Sequence, residues 1–447
     1  MAQVLPFRAY RYDPARVEPG RVLTQPYDKI TAEMQEKYYA ADPHNLIAIE
    51  KGRALPNDAP QDNVYTRAAK ALEQWIAEGV LVQDAAPTFY AYVQDYVVPG
   101  SKERRPRKGF IGLGKLEDYS AGVVFRHEQT LSAPKADRLD LLRHTRAQTG
   151  QLFMLYSDPE RRIDALLDEA VSSALPTVDV RDEYDVVHRL WPVASGERIA
   201  AIQRLMTPLK LVIADGHHRY ETALAYRDER RAQSSRELQA AHEYAMMTFI
   251  NMYSEGLTIL PTHRLISNLP GFSWERMCAA LDAYFEFEPF PFPFGNEAER
   301  AVQYALFLEE LAAQRSGCGV GLYAGTNAPS PAYYLLKPWP DADLGKLLRD
   351  VSPLQRGLDV VLLHRAILEG ALGITQQAVV AGTNLAYERE AEAAIAAVDR
   401  GAAHLAFLLN PVGVEQVMRI ATAGEVMPQK STDFYPKLLS GITIYRL

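Results

Sequence analysis

Apolar residues recur along this chain in two spacings, and their alternation sets the expected order of elements. In "RAAKALEQWIAEGVLV" (67–82) the apolar positions 68, 69, 72, 75 and 76 follow a helical period. Two β-type runs come next, "PTFYAYVQDYVV" (87–98) and "KGFIGLGKLEDY" (108–119). The charged, Pro/Gly-marked stretch "PGSKERRPR" between them predicts a hairpin with a long solvated turn, its arginines at the tip. Beyond residue 121 the spacing predicts a helix in "DRLDLLRHTRAQ", a strand in "DVVHRLWPV" and a helix in "GERIAAIQRLM". A short buried strand, "LKLVIA", then runs into a helix, "HHRYETALAYRDERRA", and "EYAMMTFINMY" and "LTILPTHRLI" read as further strands. A boundary fits "SNLPGFSWERM", where Ser273 can cap the next helix. The remainder predicts helix 296–315, strands near 319–324 and 332–337, helices 354–372 and 388–400, strand 404–409 and helix 413–423. "FEFEPFPFPFG" (285–295) reads as an extended, Pro-punctuated connector. Mixed order with antiparallel elements points to an α+β fold.

At 447 residues the chain is too long for one ordinary domain. Three segments are expected: 1–120, an αβ region with the hairpin; 121–270, the core that carries the chemistry below; and 271–447, a C-terminal αβ domain whose tail returns towards the site. No internal repeat or low-complexity tract is present. A net charge of −8 argues against a nucleic-acid surface, which needs a basic stripe. Cys278 and Cys318 are the two cysteines and lie in no CxxC pair, which reads as two buried, inert thiols in a reducing compartment. The N-terminal "MAQVLPFRAYRYDPARV" lacks the apolar stretch of a signal peptide, and the apolar runs fall short of the roughly 18 residues a membrane span needs. A cytoplasmic protein with no membrane partner is expected; its oligomeric state is open.

The densest chemistry lies in "LVIADGHHRYETALAYRDE" (211–229). A buried strand ends at Asp215, where ligands commonly bind in αβ proteins. Gly216 allows a tight turn, and a helix beginning near His217 offers unpaired N–H groups and a positive dipole end to an anion. Arg219 adds a fork that matches phosphate oxygens. Asp215 can serve as helix cap, general base or magnesium ligand. Tyr220 and Leu224 look like core contacts. Zinc fits poorly: His217 and His218 diverge by about 100° on a helix, and "HEQTL" (127–131) has Leu131 where a zincin places its second histidine. The chain has no G-x-S-x-G elbow, P-loop or dinucleotide fingerprint, and neither haem nor flavin is expected. Around this centre, "RHEQTLSAPKADR" supplies His127, Glu128, Lys135 and Arg138, which suit anion handling beside a carboxylate. Supporting candidates are Tyr27 and Asp28 in "QPYDKI", His263 and Arg264 in "LPTHRLI", and Lys430, Ser431 and Thr432 in a Pro-bracketed tail that also holds Lys437.

Taken in order, "PYDKI", "RHEQT", "ADGHHRYETALAY", "LPTHR" and "MPQKSTDFYPKLLSGI" resemble the domain-of-unknown-function 1015 family over nearly the whole chain. The "DGHHRYETAL" turn is similar, at greater distance, to the phosphate-binding turn of the ParB/sulfiredoxin-like superfamily. His217 stands where a sulfiredoxin has its reactive cysteine, which excludes that chemistry, and the acidic charge disfavours the DNA-binding role of partition proteins. Free-serine kinases of the superfamily carry a very similar stretch. That resemblance implies a ParB/sulfiredoxin-like core in which Asp215 activates an acceptor hydroxyl while Gly216, His217, His218 and Arg219 hold nucleotide phosphates. His218 is also a candidate for direct assistance in the reaction. It further implies ATP or ADP and magnesium, and a glutamate from elsewhere in the chain, for which Glu128 is the candidate on chemistry alone. The expected function is a phosphotransferase acting on a small hydroxyl metabolite, serine first. A phosphomonoester hydrolase and a non-catalytic regulator that binds nucleotides or phosphometabolites remain the alternatives.

Overall fold

The alternating runs at 87–98 and 108–119 do pair, but they form the middle of a wider sheet. In the computed structural model, which describes residues 1–128, 132–172, 174–233, 240–316 and 318–447, nine strands among the described residues make that sheet. They are β1 (Val4–Leu5), β2 (Phe89–Val97), β3 (Arg104–Lys115), β4 (Val124–Phe125), β5 (Leu152–Tyr156), β6 (Val178–Arg181), β7 (Val187–Val193), β8 (Leu211–Asp215) and β9 (Tyr244–Asn251). Their order is β4-β8-β5-β9-β3-β2-β7-β6, with β1 on β3. β8 runs parallel to β4 and β9 parallel to β5, and the other pairings are antiparallel. The fold is α+β with mixed sheets.

Burial explains why these segments read so differently as sequence. Every residue of β5 and β9 is buried, so both read as apolar runs, broken in β9 only by Thr248 and Asn251. The longer helices of the same unit, beyond residue 60, are α1 (Val64–Ala77), α2 (Ser132–Thr145), α3 (Arg162–Ser172), α4 (Gly196–Met206) and α5 (His217–Gln233). Leu167 of α3, Ile202 and Met206 of α4 and Tyr220 of α5 share one core with Phe89, Phe110, Met154, Ile213 and Phe249 of the sheet, and Leu224 packs against it.

The chain divides into two units, Met1–Thr258 with Phe434–Leu447, and Ile259–Asp433. The first two segments expected from the sequence therefore share one sheet, and the division falls at residue 259 instead of near Ser273. The last residues are tied into the first unit: Thr24 and Ser440 exchange backbone hydrogen bonds, Gly441 N–H donates to Thr149 (2.8 Å), and Tyr445–Arg446 pairs with Ala147–Gln148.

The second unit carries a six-stranded antiparallel sheet of β10 (His263–Ile266), β11 (Phe285–Pro291), β12 (Val320–Tyr323), β13 (Ala332–Pro338), β14 (Leu385–Glu388) and β15 (Leu405–Leu408), ordered β11-β13-β12-β15-β10-β14. The 285–295 segment is thus an edge strand over its first seven residues, not a bare connector. Phe292 N–H bonds back to Pro331, so the even positions face β13, and Pro289 and Pro291 stand where their missing donors would point out of the sheet. Other boundaries move as well. Leu81–Gln83 is a strand, not the end of α1. "LTILPTHRLI" breaks into two strands at Pro261. The expected helix 354–372 is a short α turn, Asp359–Leu362, leading into a π-helical stretch, and 388–400 is the end of β14 plus a helix, Ala391–Asp399. Ser273 caps its helix by accepting from Arg276 N–H, as expected. Cys278 and Cys318 are partly exposed, not fully buried, and burial of the sulfur raises their thiols to about 11 and about 12. No helix among the described residues is long and apolar enough to cross a membrane.

The hairpin arginines bring a further correction. Arg104 and Arg105 lie near the turn, but Arg107 is 1% exposed and sits inside β3. Its guanidinium donates to Gln94 Oε1 (3.0 Å) and to the carbonyls of Tyr435 (3.1 Å) and Pro436, over the Phe153 ring. Desolvation lowers it to about 10. Removing the guanidinium leaves neutral buried acceptors unsatisfied, so Arg107→Ala should lower unfolding free energy by about 1–3 kcal/mol. Urea unfolding reads that loss, and limited proteolysis should cut within 434–447 of the variant before the rest of the chain.

Candidate functional site

The site forms where two parallel strands stop side by side. β4 and β8 run in register, Val124 opposite Leu211 and Phe125 opposite Val212. His127 follows one strand and Asp215 ends the other, so both emerge at the same end of the sheet. A register shift between Ile213 and Asp215 against β5 marks an irregularity there, the kind of local kink that re-aims a terminal side chain.

Gly216 turns the chain from β8 into α5. Its φ is +95°, open to glycine and strained for other residues, and a Cβ would lie 3.1 Å from Leu152 Cδ2 and 3.2 Å from Arg219 Nε. Tyr220 N–H bonds to Gly216 O, which makes Gly216 the residue that opens the helix. Asp215 therefore lies one residue outside the helix and is not its cap. Its carboxylate pairs with Lys437 (Nζ to Oδ2, 3.1 Å), with a quarter of the side chain still exposed. Burial alone would raise this acid. Lys437, Arg219 and Lys29 outweigh burial and hold it well below the usual carboxylate range.

Two imidazoles back this turn and both are neutral. His127, 1% exposed, donates from Nδ1 to Ile213 O (2.7 Å), since a carbonyl can only accept. Its backbone N–H donates to His217 Nε2 (3.4 Å), which leaves the His217 ring proton on Nδ1. The rings meet edge to face at 4.7 Å. Burial brings His127 down to about 4, against weaker help from the Ile213 carbonyl and Asp215. Burial and the neighbouring His127 push His217 well below its ordinary range. His218, on the next position of the helix, is half-buried.

Arg219 donates to Gln151 O (2.5 Å) and lines a small pocket that opens to solvent. Arg138 and Glu50 line the same pocket. Arg138 donates to Glu50 O (2.8 Å) and stacks on the Tyr27 ring at 4.3 Å. Burial lifts the Tyr27 phenol to about 12 although Arg219 and Arg138 pull it down; exposed Asp28 adds to the rise. Glu50 is 3% exposed and accepts hydrogen bonds from Thr149 and from Ser440 (3.4 Å).

Of the residues singled out by sequence, Tyr27, Asp28, His127, Glu128, Lys135, Arg138 and 215–219 all belong to the first unit. Glu128 is half-buried beside His127, and Lys135 pairs with Glu221 (2.7 Å). His263, Arg264, Lys430, Ser431 and Thr432 belong to the second unit. There Arg264, 1% exposed, donates to the carbonyls of Thr262 and Lys430, and Leu409 N–H donates to His263 Nδ1 (3.2 Å). Sequence reasoning passed over Glu50 and ranked Lys437 behind its neighbours. The one available signal for Glu50 was an acid closing the apolar run "NLIAIE".

Among the described residues no group of three or more metal-ligating side chains gathers. Magnesium carried by phosphates asks less than that, one or two carboxylate oxygens with water and phosphate making up the rest, and Asp215 fits that need.

Two measurements follow from this geometry. A histidine held near 4 against its ordinary 6.5 favours the fold in its neutral form. Its stabilisation is complete above pH 6.5 and is lost as pH falls through about 4, a swing on the order of 3 kcal/mol. His127→Asn keeps a donor for Ile213 O but cannot titrate, so its stability should fall less steeply over that window. Gly216→Ala should cost about 1–3 kcal/mol by forcing a side chain into positive φ and against Arg219; a denaturation curve indistinguishable from wild type would contradict the strained turn.

The sequence profile of the family described as "Protein of unknown function (DUF1015)" matches residues 4–361. No curated protein matches the chain. Among solved structures, a conserved hypothetical protein from Pyrococcus furiosus is similar at 13% identity over 70% of this chain and 86% of its own, TM-score 0.32. A glutamate-to-alanine variant of a free serine kinase in complex with ADP is similar at 13% identity over 70% and 83%, TM-score 0.33. SbnI with a C-terminal truncation, from Staphylococcus aureus, is similar at 9% identity over 74% and 85%, TM-score 0.33.

Proposed function

The chain belongs to the DUF1015 family, and within that family of unknown function we propose that this member is a nucleotide-dependent phosphotransferase acting on a small hydroxyl metabolite, with serine the first acceptor to try. The observation that carries the reading is the Asp215–Lys437 pair at the mouth of the Gly216 turn: an ionised carboxylate set among Lys437, Arg219 and Lys29. Phosphoryl transfer needs positioning and charge neutralisation more than a nucleophile on the protein, and cations beside one carboxylate are suited to it. The likeness of "DGHHRYETAL" to the phosphate-holding turn of free-serine kinases supports the same reading.

The residues divide the work as follows. The first N–H groups of α5, with Arg219, hold phosphate oxygens, and Arg138 adds charge from the pocket side. His127 and His217 contribute no cation, because both are neutral; they fix the turn's backbone. A carboxylate as acidic as Asp215 is a weak proton acceptor, so its part is to orient the acceptor hydroxyl and to ligate magnesium. Magnesium, when bound, neutralises charge on the phosphates. Glu50, inside the pocket, takes the role of second carboxylate that chemistry alone had offered to Glu128, and His218 presents the accessible imidazole of the turn.

Purified protein, incubated with magnesium, a panel of nucleotides and serine or related alcohols, should yield a phosphomonoester detectable by ³¹P NMR. Asp215→Asn should reduce turnover by about a thousandfold or more while its circular-dichroism spectrum stays that of the folded protein, and Glu50→Gln should lower turnover without abolishing nucleotide binding. No phosphoryl transfer to any acceptor in the panel sinks the reading, and so does phosphate release that needs no acceptor.

A further inference from the structure

The pocket beside the turn has a wall that the proposed chemistry does not use. Leu141 and Leu142 of α2, Leu152 of β5, Ala223 of α5 and Ala245 of β9 line its interior, whereas Glu50, Arg138 and Arg219 line it with charge. Within the same pocket, Thr222 is 4% exposed and its Oγ1 has no hydrogen-bond partner among the described residues. A buried hydroxyl left unpaired is a standing cost that an occupant with a polar edge removes. Arg219, Thr222 and Ala223 lie within one turn of α5 and share its face, so the pocket continues directly from the turn that receives phosphates. Gly150 leaves room for the charged lining: a Cβ there would stand 3.1 Å from Arg219 Nη1 and 3.5 Å from Glu50 Oε1.

We propose that this pocket is a nucleobase subsite, in which a flat heteroaromatic ring lies between the apolar walls and Thr222 Oγ1 hydrogen-bonds its polar edge. The proposal rests on the phosphotransferase reading and names where its nucleotide is recognised. A small hydroxyl acceptor is polar on every side and gains nothing from five aliphatic walls, whereas a base gains from each of them and offers ring nitrogens or an exocyclic group to a hydroxyl. Arg219 then spans both parts of the ligand, its phosphates at the turn and its base beside Ala223.

Calorimetric titration of the full chain with ADP, and separately with inorganic pyrophosphate, tests this. The wild type should bind ADP at least about tenfold more tightly than pyrophosphate. Ala223→Leu fills the pocket and should weaken ADP about tenfold or more while leaving pyrophosphate within about twofold. Thr222→Val, nearly isosteric, should weaken ADP several-fold and raise the melting temperature of the ligand-free protein by removing the unpaired hydroxyl; it keeps the test open should Ala223→Leu fold poorly. ADP binding untouched by both variants, or ADP and pyrophosphate weakened alike, overturns the subsite. Loss of acceptor affinity in place of ADP affinity overturns it too and gives the pocket to the acceptor. A wild type that binds neither ADP nor pyrophosphate overturns the phosphotransferase reading itself.

Discussion

A carboxylate at the end of a largely buried strand stays ionised only where cations reach it, and here a cation arrives from the far end of the chain. Lys437 lies 222 residues beyond Asp215 and meets it at 3.1 Å. Much of the first unit's polar interior serves that meeting. Gln94 donates to Lys437 O (2.7 Å), and Arg107 holds the two carbonyls that precede it. Gln94 also approaches His188 Nδ1 (3.4 Å), which accepts from Tyr92 OH, while the other ring nitrogen faces Asp182 (3.1 Å). The backbone of Lys437 is thus gripped by fully satisfied buried polar groups, so its ammonium is placed by a rigid frame instead of by a flexible surface tail.

The same economy of charge shapes the other side of the turn. Two histidines beside a proposed phosphate site suggest added positive charge, yet each is buried, each points a nitrogen at a backbone partner, and each is neutral. Positive potential at the turn comes from Arg219, Lys437 and Lys29 and from the end of α5. Imidazole here sets shape, and guanidinium and ammonium set the field.

How much of this was legible beforehand depends on the distance over which each feature is encoded. Local features read well: β8 stopping at Asp215, α5 beginning at His217 and Ser273 capping its helix are each written within a few residues. Features made by pairing at a distance did not. Arg107 looks like a hairpin tip because its neighbours are charged, and only a tail more than 300 residues later makes a home for it. The Phe/Pro run at 285–291 looks structureless because prolines are depleted in strands, and only an edge position with outward-facing donors admits them. Glu50 gave almost no local cue, since its partners Thr149 and Ser440 come from two remote segments. Candidates grouped by chemistry alone were divided by the fold, with Arg264 and Ser431 in one unit and Arg219 in the other.

The interruption of the first unit by residues 259–433 has a consequence for the order in which the protein matures. During vectorial synthesis β4, β8 and α5 emerge and can fold early, because all three precede the second unit in the chain. The ammonium for Asp215 follows only after the whole second unit has been made. Until then the acid sits in a low-dielectric notch without its strongest counter-charge, and Glu50 lacks Ser440. The nascent chain therefore passes through a stage in which its architecture is largely set while its electrostatics are not. Closing the loop to Lys437 is the step that converts a folded sheet into a finished site.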